Sequence, residues 1–325
     1  LFHCFNHAIF KSLLFMGAGV VQSGTHTSNM DEMGGLAKLM PKASILFFIG
    51  SAAISALPPT NGFAGEWMIY RSLIAGFALP SMTCKVLMPI MAAILAMAGA
   101  LAAGCFVKAF GTVFLAKART AHAAQAHEPE AGTLWGMAIP AILCLVVGVF
   151  PEAIIAALSR FDGRAGLVFP SRTPLIWMND PQEAFAPLLV LTSLAAGILI
   201  AWYLMKMKRS RPLVEQGETW NCGTPLTERM SYTATSFAEP FQVNFSTLFA
   251  PKRRFKAETS VSPLIPTHLK YEVSTRKIFE EFLYKPVLNA LLFISLRIQK
   301  LQAGSLHAYL FLMFLVIVIL LVAGV

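Results

Sequence analysis

The stretch SALPPTNGFAGEWMIY, residues 55–70, sits inside an apolar run bounded by Pro41 and Pro80, and its reading decides how that run crosses a membrane. As one straight helix the run would be about 60 Å long, twice the ~30 Å hydrocarbon thickness of a bilayer. Leu57-Pro58-Pro59-Thr60-Asn61-Gly62 interrupts it, because two prolines remove N–H donors and a glycine frees the backbone. Both a surface turn between two spans and a break within one long helix satisfy that requirement. The apolar flanks, AAISAL before and FAG after, favour a break inside the membrane region, where protein or a water-filled cavity satisfies the freed backbone groups. Thr60 or Asn61 is therefore expected within reach of polar neighbours.

Outward from this break the chain remains apolar. Of its 325 residues 56% are hydrophobic and 13% charged, about half the usual charged fraction. A soluble enzyme would struggle to hide that much apolar surface, and a transmembrane barrel is excluded by stretches such as 310–325, which are apolar without alternation. Six crossings are expected, near 1–21, 42–79, 86–114, 133–157, 185–205 and 306–325. The fold class is all-α: a polytopic transmembrane helix bundle with one broken helix. Four parts follow along the chain: 1–157, a loop and span over 158–205, a polar, basic insertion over 206–304, and a last span over 305–325. In the insertion no periodicity stands out before 278–301, whose apolar residues recur at helical spacing but which is too polar to span. This segment reads as an amphipathic helix on the membrane or on a partner's surface, kinked at Pro286. Residues 1–21 already form a membrane-type helix carrying His and Lys, unlike a signal peptide, so the sequence reads as the back part of a longer protein.

The formal charge of +9 does not point to nucleic acid, because the basic residues lie in loops between spans rather than among stacking aromatics. They report orientation instead. Near the span ends, Lys38, Lys42, Lys117, Arg119, Lys206, Lys208, Arg209, Arg211, Arg297 and Lys300 fall on one side, against Lys85, Arg160, Arg164 and Arg172 on the other. This places 206–304 in the cytoplasm, whether 42–79 is one crossing or two. Cys4, Cys84, Cys105, Cys144 and Cys222 occur singly, so neither a metal site nor a bound cofactor is expected.

Ionisable groups inside spans are costly, which makes them functional candidates. His3, His7 and Lys11 are spaced i, i+4, i+8 on one helix face, and Lys11 lies about 16 Å of helix before Gln22, too deep to snorkel. Histidine titrates near neutral pH without help, which suits His3 and His7 to relaying protons. Glu66 follows the break and is placed in the first turn of the second half-helix, where the dipole favours negative charge. The plainer readings are a structural Lys11 bound to a carbonyl or carboxylate, and a Glu66 that caps its helix or pairs with Arg71. Lys108 lies about 13 Å of helix from Lys117 and is open to snorkelling as well as to a buried role. Arg71 and Glu152, near span ends, read as anchors.

These residues carry a resemblance. HCFNHAIFKSLLFMGAGVV (3–21), GGLAKLMP (34–41) and SALPPTNGFAGEWMIY (55–70) resemble the proton-pumping, antiporter-like membrane subunits of respiratory complex I, Mrp-type cation/proton antiporters and energy-converting nickel-iron hydrogenases. CFVKAFGTVFLAKAR (105–119) and WNCGTPLTERMSYTATSFAEPF (220–241) look most like the large membrane subunit of the formate hydrogenlyase branch. The resemblance implies two inverted five-helix repeats, of which this chain holds the end of the second. It also implies a central polar axis at His3, His7 and Lys11, and a terminal proton-exchange position at Glu66. Implied partners are other membrane subunits, hydrophilic hydrogenase and iron–sulfur subunits and the bilayer, with proton translocation as the function. An Mrp-type sodium/proton antiporter subunit and a non-transporting scaffold are the alternatives.

Overall fold

The structure, a computed structural model, describes residues 1–76, 79–162, 187–207, 221–225, 227–258, 268–274, 279–301 and 306–323. The chain divides into two compact units, Leu1–Phe237 and Ala238–Val325. The loop arginines Arg164 and Arg172 and the basic run Lys208, Arg209 and Arg211 lie outside the described residues.

The first unit is a helix bundle. Helix α1 (Phe2–Thr25) buries Phe2, Asn6, Phe10, Leu13, Leu14, Gly17, Val20 and Val21, a stripe at three- and four-residue spacing. That stripe packs on α3 (Pro41–Ile54), α4 (Asn61–Ala75) and α7 (Ala131–Val149). Leu13, Leu14, Phe47, Phe114, Met137 and Cys144 form the centre of the core. Helix α2 (Leu36–Leu39) is a single turn leading into α3, and α5 (Met82–Phe114) runs beside both α3 and α4. With 33 residues α5 is about 50 Å long. It is thus slightly longer than α3 (14 residues) and α4 (15 residues) placed end to end.

Four helices among the described residues are long and apolar enough to cross a membrane: α1, α5, α7 and, over Leu189–Met207, α9 (Pro187–Met207). The broken pair α3 and α4 supplies a further crossing. The expected span over 133–157 is corrected, since α7 stops at Val149 and Pro151 separates it from α8 (Glu152–Asp162). Proline lacks the N–H that would continue the ladder and pushes the residue before it out of helical geometry. Ile154, Ile155 and Leu158 of α8 then pack against Phe2, Ala64 and Val147, closing the end of the bundle where α1 begins.

At the opposite end, the loops after α1 and α5 meet, with the one-turn helix α6 (Ala121–Ala124) between α5 and α7. The Arg119 guanidinium donates to the carbonyls of Met33 (2.6 Å), Thr112 (3.0 Å) and Tyr232 (2.7 Å). The Thr120 hydroxyl donates to the Glu32 carbonyl (3.0 Å), and Asp31 accepts from the backbone and hydroxyl of Thr235. Because the C-terminal ends of α1 and α5 share this end, α3 and α4 make one broken crossing. That is the question the count of basic residues leaves open. Hydrogen bonds from Thr27 (2.7 Å) and Asn29 (3.0 Å) hold the Glu32 carboxyl below the ordinary Glu range. The support it lends this loop is present above that range and is lost as pH falls through the lowered value.

Arg119→Met should free three carbonyls at once. Faster proteolysis of the full-length protein between Asn221 and Phe237 is the expected result. Unchanged cleavage would show that these loops are held without Arg119.

The second unit contains α11 (Ser246–Phe249), an antiparallel hairpin of β1 (Lys252–Glu258) and β2 (His268–Ser274), α12 (Lys285–Leu301) and α13 (Leu306–Ala323), with α10 (Ala234–Asn244) crossing the boundary between units. The hairpin corrects the expectation that nothing regular precedes residue 278. Its second strand, HLKYEVS, alternates with period two, a signal that seven residues among many charges leave easy to pass over. The expected helix over 278–301 is α12, preceded by a wide π turn over Glu280–Tyr284. This π turn runs straight into α12, with Phe279 and Lys285 both in right-handed helical geometry, so Pro286 stands inside a continuous helical stretch directly after a widened turn, where its missing N–H interrupts the ladder.

Candidate functional site

The site is built around the break between α3 and α4. Helix α3 ends as Ala56 turns left-handed (φ 51°), with the N–H groups of Ala56 and Leu57 returning to the carbonyls of Ala53 (3.1 Å) and Ala52 (3.0 Å). The Pro58-Pro59 peptide is cis. Thr60 closes the turn by donating its hydroxyl (2.7 Å) and its N–H (3.0 Å) to the Leu57 carbonyl, and α4 starts at Asn61.

Protein surrounds these groups. Asn61 and Thr60 are buried, and the Asn6 amide of α1 donates to the Asn61 carbonyl at 3.0 Å. A methyl group at Gly148 of α7 would overlap the Pro59 carbonyl and the Thr60 and Asn61 backbone, so α7 lies directly on the turn. One at Gly62 would overlap the Ala53 carbonyl, so α4 starts in contact with the last turn of α3. The Pro59 carbonyl and the Thr60 and Asn61 backbone thus face α7 and α1, and Gly62 faces α3, while Leu57 at the start of the turn is half exposed.

The ionisable residues are distributed around this core. His3 is half-buried against α4: a methyl at Gly65 would lie 2.8 Å from His3 Nδ1. His7 is exposed and packs edge-on against the Phe10 ring, at 5.2 Å between centroids. Lys11 is half-buried with its ammonium 6.0 Å from the Phe15 ring centre, at the outer reach of a cation–π contact. Glu66 lies against α5, where a methyl at Gly99 would be 3.6 Å from its carboxylate. Lys108, half-buried on α5, carries the carbonyl that accepts the Thr112 hydroxyl (2.8 Å). The shared stripe on α1 is therefore one face by spacing but not one environment by burial, with His3 and Lys11 half-buried and His7 exposed between them.

The first-turn placement of Glu66 needs correction. Asn61 is the first helical residue, so Glu66 is the sixth and stands in the second turn. A side chain there is beyond the N–H groups a cap satisfies, and the dipole effect has largely decayed.

Sequence reasoning missed Asn6 and Gly148. Asn6 is not ionisable and so drew no attention, although it sits between two histidines at i−3 and i+1 and four residues from buried Phe2 and Phe10. Gly148 is legible only as a small residue near the end of an apolar helix. Among the described residues no group of three or more His, Cys, Asp or Glu is placed to hold a metal ion.

With this geometry in view, residues 1–95 match the family described as NADH:quinone oxidoreductase/Mrp antiporter, transmembrane. Over these residues the chain belongs to this family of antiporter-like subunits, and it is a multi-pass membrane protein. It is similar to hydrogenase-4 component B of Escherichia coli (strain K12), 30% identical over 328 residues, which cover 99% of this chain and 49% of that protein. Formate hydrogenlyase subunit 3 of the same organism is 32% identical over 267 residues, 82% of this chain and 41% of that protein. The chain spans about half the length of these curated relatives. In fold it is similar to a chain of the membrane-bound sulfane sulfur reductase, an archaeal respiratory membrane complex. The TM-score is 0.62 at 21% identity, covering all of this chain and 47% of that one.

Proposed function

We propose that this chain is part of a proton-translocating membrane subunit of a redox-driven, multi-subunit complex of the formate hydrogenlyase or complex I-like kind. The complex lies in the cell inner membrane, with residues 206–304 on the cytoplasmic side. The observation that carries this reading is the helix break seated in protein beside His3, with Glu66 in the half-helix that follows it. Broken helices inside a bundle place backbone dipoles and ionisable side chains where hydrocarbon would reject them, and such groups mark ion paths. The path runs over His3, His7, Lys11, Glu66 and Lys108. An i, i+4 step rises about 6 Å, so water or side-chain motion completes each transfer.

Similarity to a hydrogenase-4 component and a formate hydrogenlyase subunit over most of the chain supports hydrophilic hydrogenase and iron–sulfur subunits as the partners that release the redox energy. The family description also includes Mrp antiporters, which favours sodium/proton exchange as the second reading. Flux that requires sodium and persists without electron transfer would select it.

Lys11→Ala in the full-length protein is expected to lower proton flux in vesicles about a hundredfold while the complex assembles normally on native gels. Wild-type flux would remove Lys11 from the path, and failed assembly would favour a scaffold role for the charge.

A further inference from the structure

We infer that Asn6 is a positioning residue for proton transfer at the helix break: paired with Asn61, it holds the start of α4 against His3. This rests on the proton-path reading above. The two asparagines are fully buried and face each other across the interface between α1 and α4. Asn6 Nδ2 donates to the Asn61 carbonyl at 3.0 Å, and Asn61 Nδ2 lies 3.4 Å from both the carbonyl and the Oδ1 of Asn6. The pair therefore joins a continuous helix to the first residue after the break.

Two features separate this joint from ordinary interhelical packing. First, it is not closed on itself. Asn61 Oδ1 and His3 Nδ1 are both buried and have no hydrogen-bond partner among the described residues. Buried amides that serve packing alone close their polar groups on each other, because hydrocarbon offers no other partner. Here one amide oxygen and one imidazole nitrogen remain available for a mobile proton or a water.

Second, His3 and Asn6 lie over the same bare patch of α4. A methyl at Gly65 would be 2.8 Å from His3 Nδ1 and 3.1 Å from Asn6 Nδ2. With Glu66 the next residue along, a shift of α4 relative to α1 would change where both Gly65 and Glu66 stand relative to the imidazole. The Asn6 amide is the polar contact that fixes this register. It acts through His3 and Asn61 and carries no proton itself.

The test uses the full-length protein in its complex, with proton flux in vesicles and assembly on native gels measured together. Asn6→Leu keeps the bulk and removes both polar atoms, so it should assemble normally and lose about tenfold or more in flux, since a displacement near 1 Å is enough. Asn6→Gln restores a donor and an acceptor and should recover most of the flux. In complexes labelled with 15N-histidine, the His3 resonance, identified by its loss in His3→Gln, should shift in Asn6→Leu and return in Asn6→Gln. Wild-type flux in Asn6→Leu while Glu66→Gln is impaired overturns the role of Asn6 and leaves the path intact. Wild-type flux in Glu66→Gln overturns the path and this proposal with it. Flux falling in step with assembled complex in both Asn6 variants, with an unshifted His3 resonance, reduces the pair to packing.

Discussion

Glu66→Gln in the full-length protein is expected to lower proton flux by about a hundredfold or more, the scale of a lost proton-transfer group, with assembly unchanged. Glutamine keeps the shape and one acceptor but releases no proton. Glu66→Lys should retain part of the flux, because an ammonium also cycles a proton. A structural carboxylate predicts the opposite order, with glutamine tolerated and lysine damaging. The position of Glu66 sharpens the comparison. As the sixth residue of α4, it is too far along to cap the helix, and a lysine there meets little of the N-terminal dipole. The remaining structural role is contact with neighbours on α4 and with α5 near Gly99. Proton flux in vesicles and native-gel assembly for the two variants decide between the readings. Normal flux in Glu66→Gln beside failed assembly in Glu66→Lys would leave a structural carboxylate.

The order of flux between these variants reads chemistry, whereas assembly reads packing, and the sequence exposes the two unequally. The crossings were legible because the bilayer imposes one strong rule: about twenty apolar residues per span, with backbone groups satisfied internally. Pro58, Pro59 and Gly62 broke that rule visibly, so the interruption between α3 and α4 could be placed to within a few residues. The end of α7 could not, because Phe150 is as apolar as its neighbours and the proline effect at Pro151 competes with a continuing hydrophobic run. The ionisable stripe on α1 was legible by spacing. How deeply each member sits was not, since burial depends on which helices arrive at each face, and His7 turned outward while Asn6 turned in. Spacing gives an angle on a helix, and only packing gives that angle an inside.

Packing at the break gives the second large expectation, Gly148→Val, which alters no charge and no hydrogen-bonding side chain. A Cβ at Gly148 would overlap the Pro59 carbonyl and the Thr60 and Asn61 backbone, and these are main-chain atoms that no rotamer change can move aside. The turn also has little freedom to retreat. Gly62 already touches the Ala53 carbonyl, and Asn61 is tied to Asn6 of α1 at 3.0 Å. Forcing bulk into a packed site costs about 1–3 kcal/mol where neighbours can adjust, and more where they are backbone. Gly132, on the same helix, has nothing within 4 Å of an added Cβ, so Gly132→Val supplies the matched control for valine in α7. The expected result is a sharp loss of assembled complex and a lowered thermal midpoint in detergent for Gly148→Val, with Gly132→Val close to wild type. Equal behaviour of the two variants would mean that α7 does not bear on the break and that α3 and α4 are held at their junction by α1 alone.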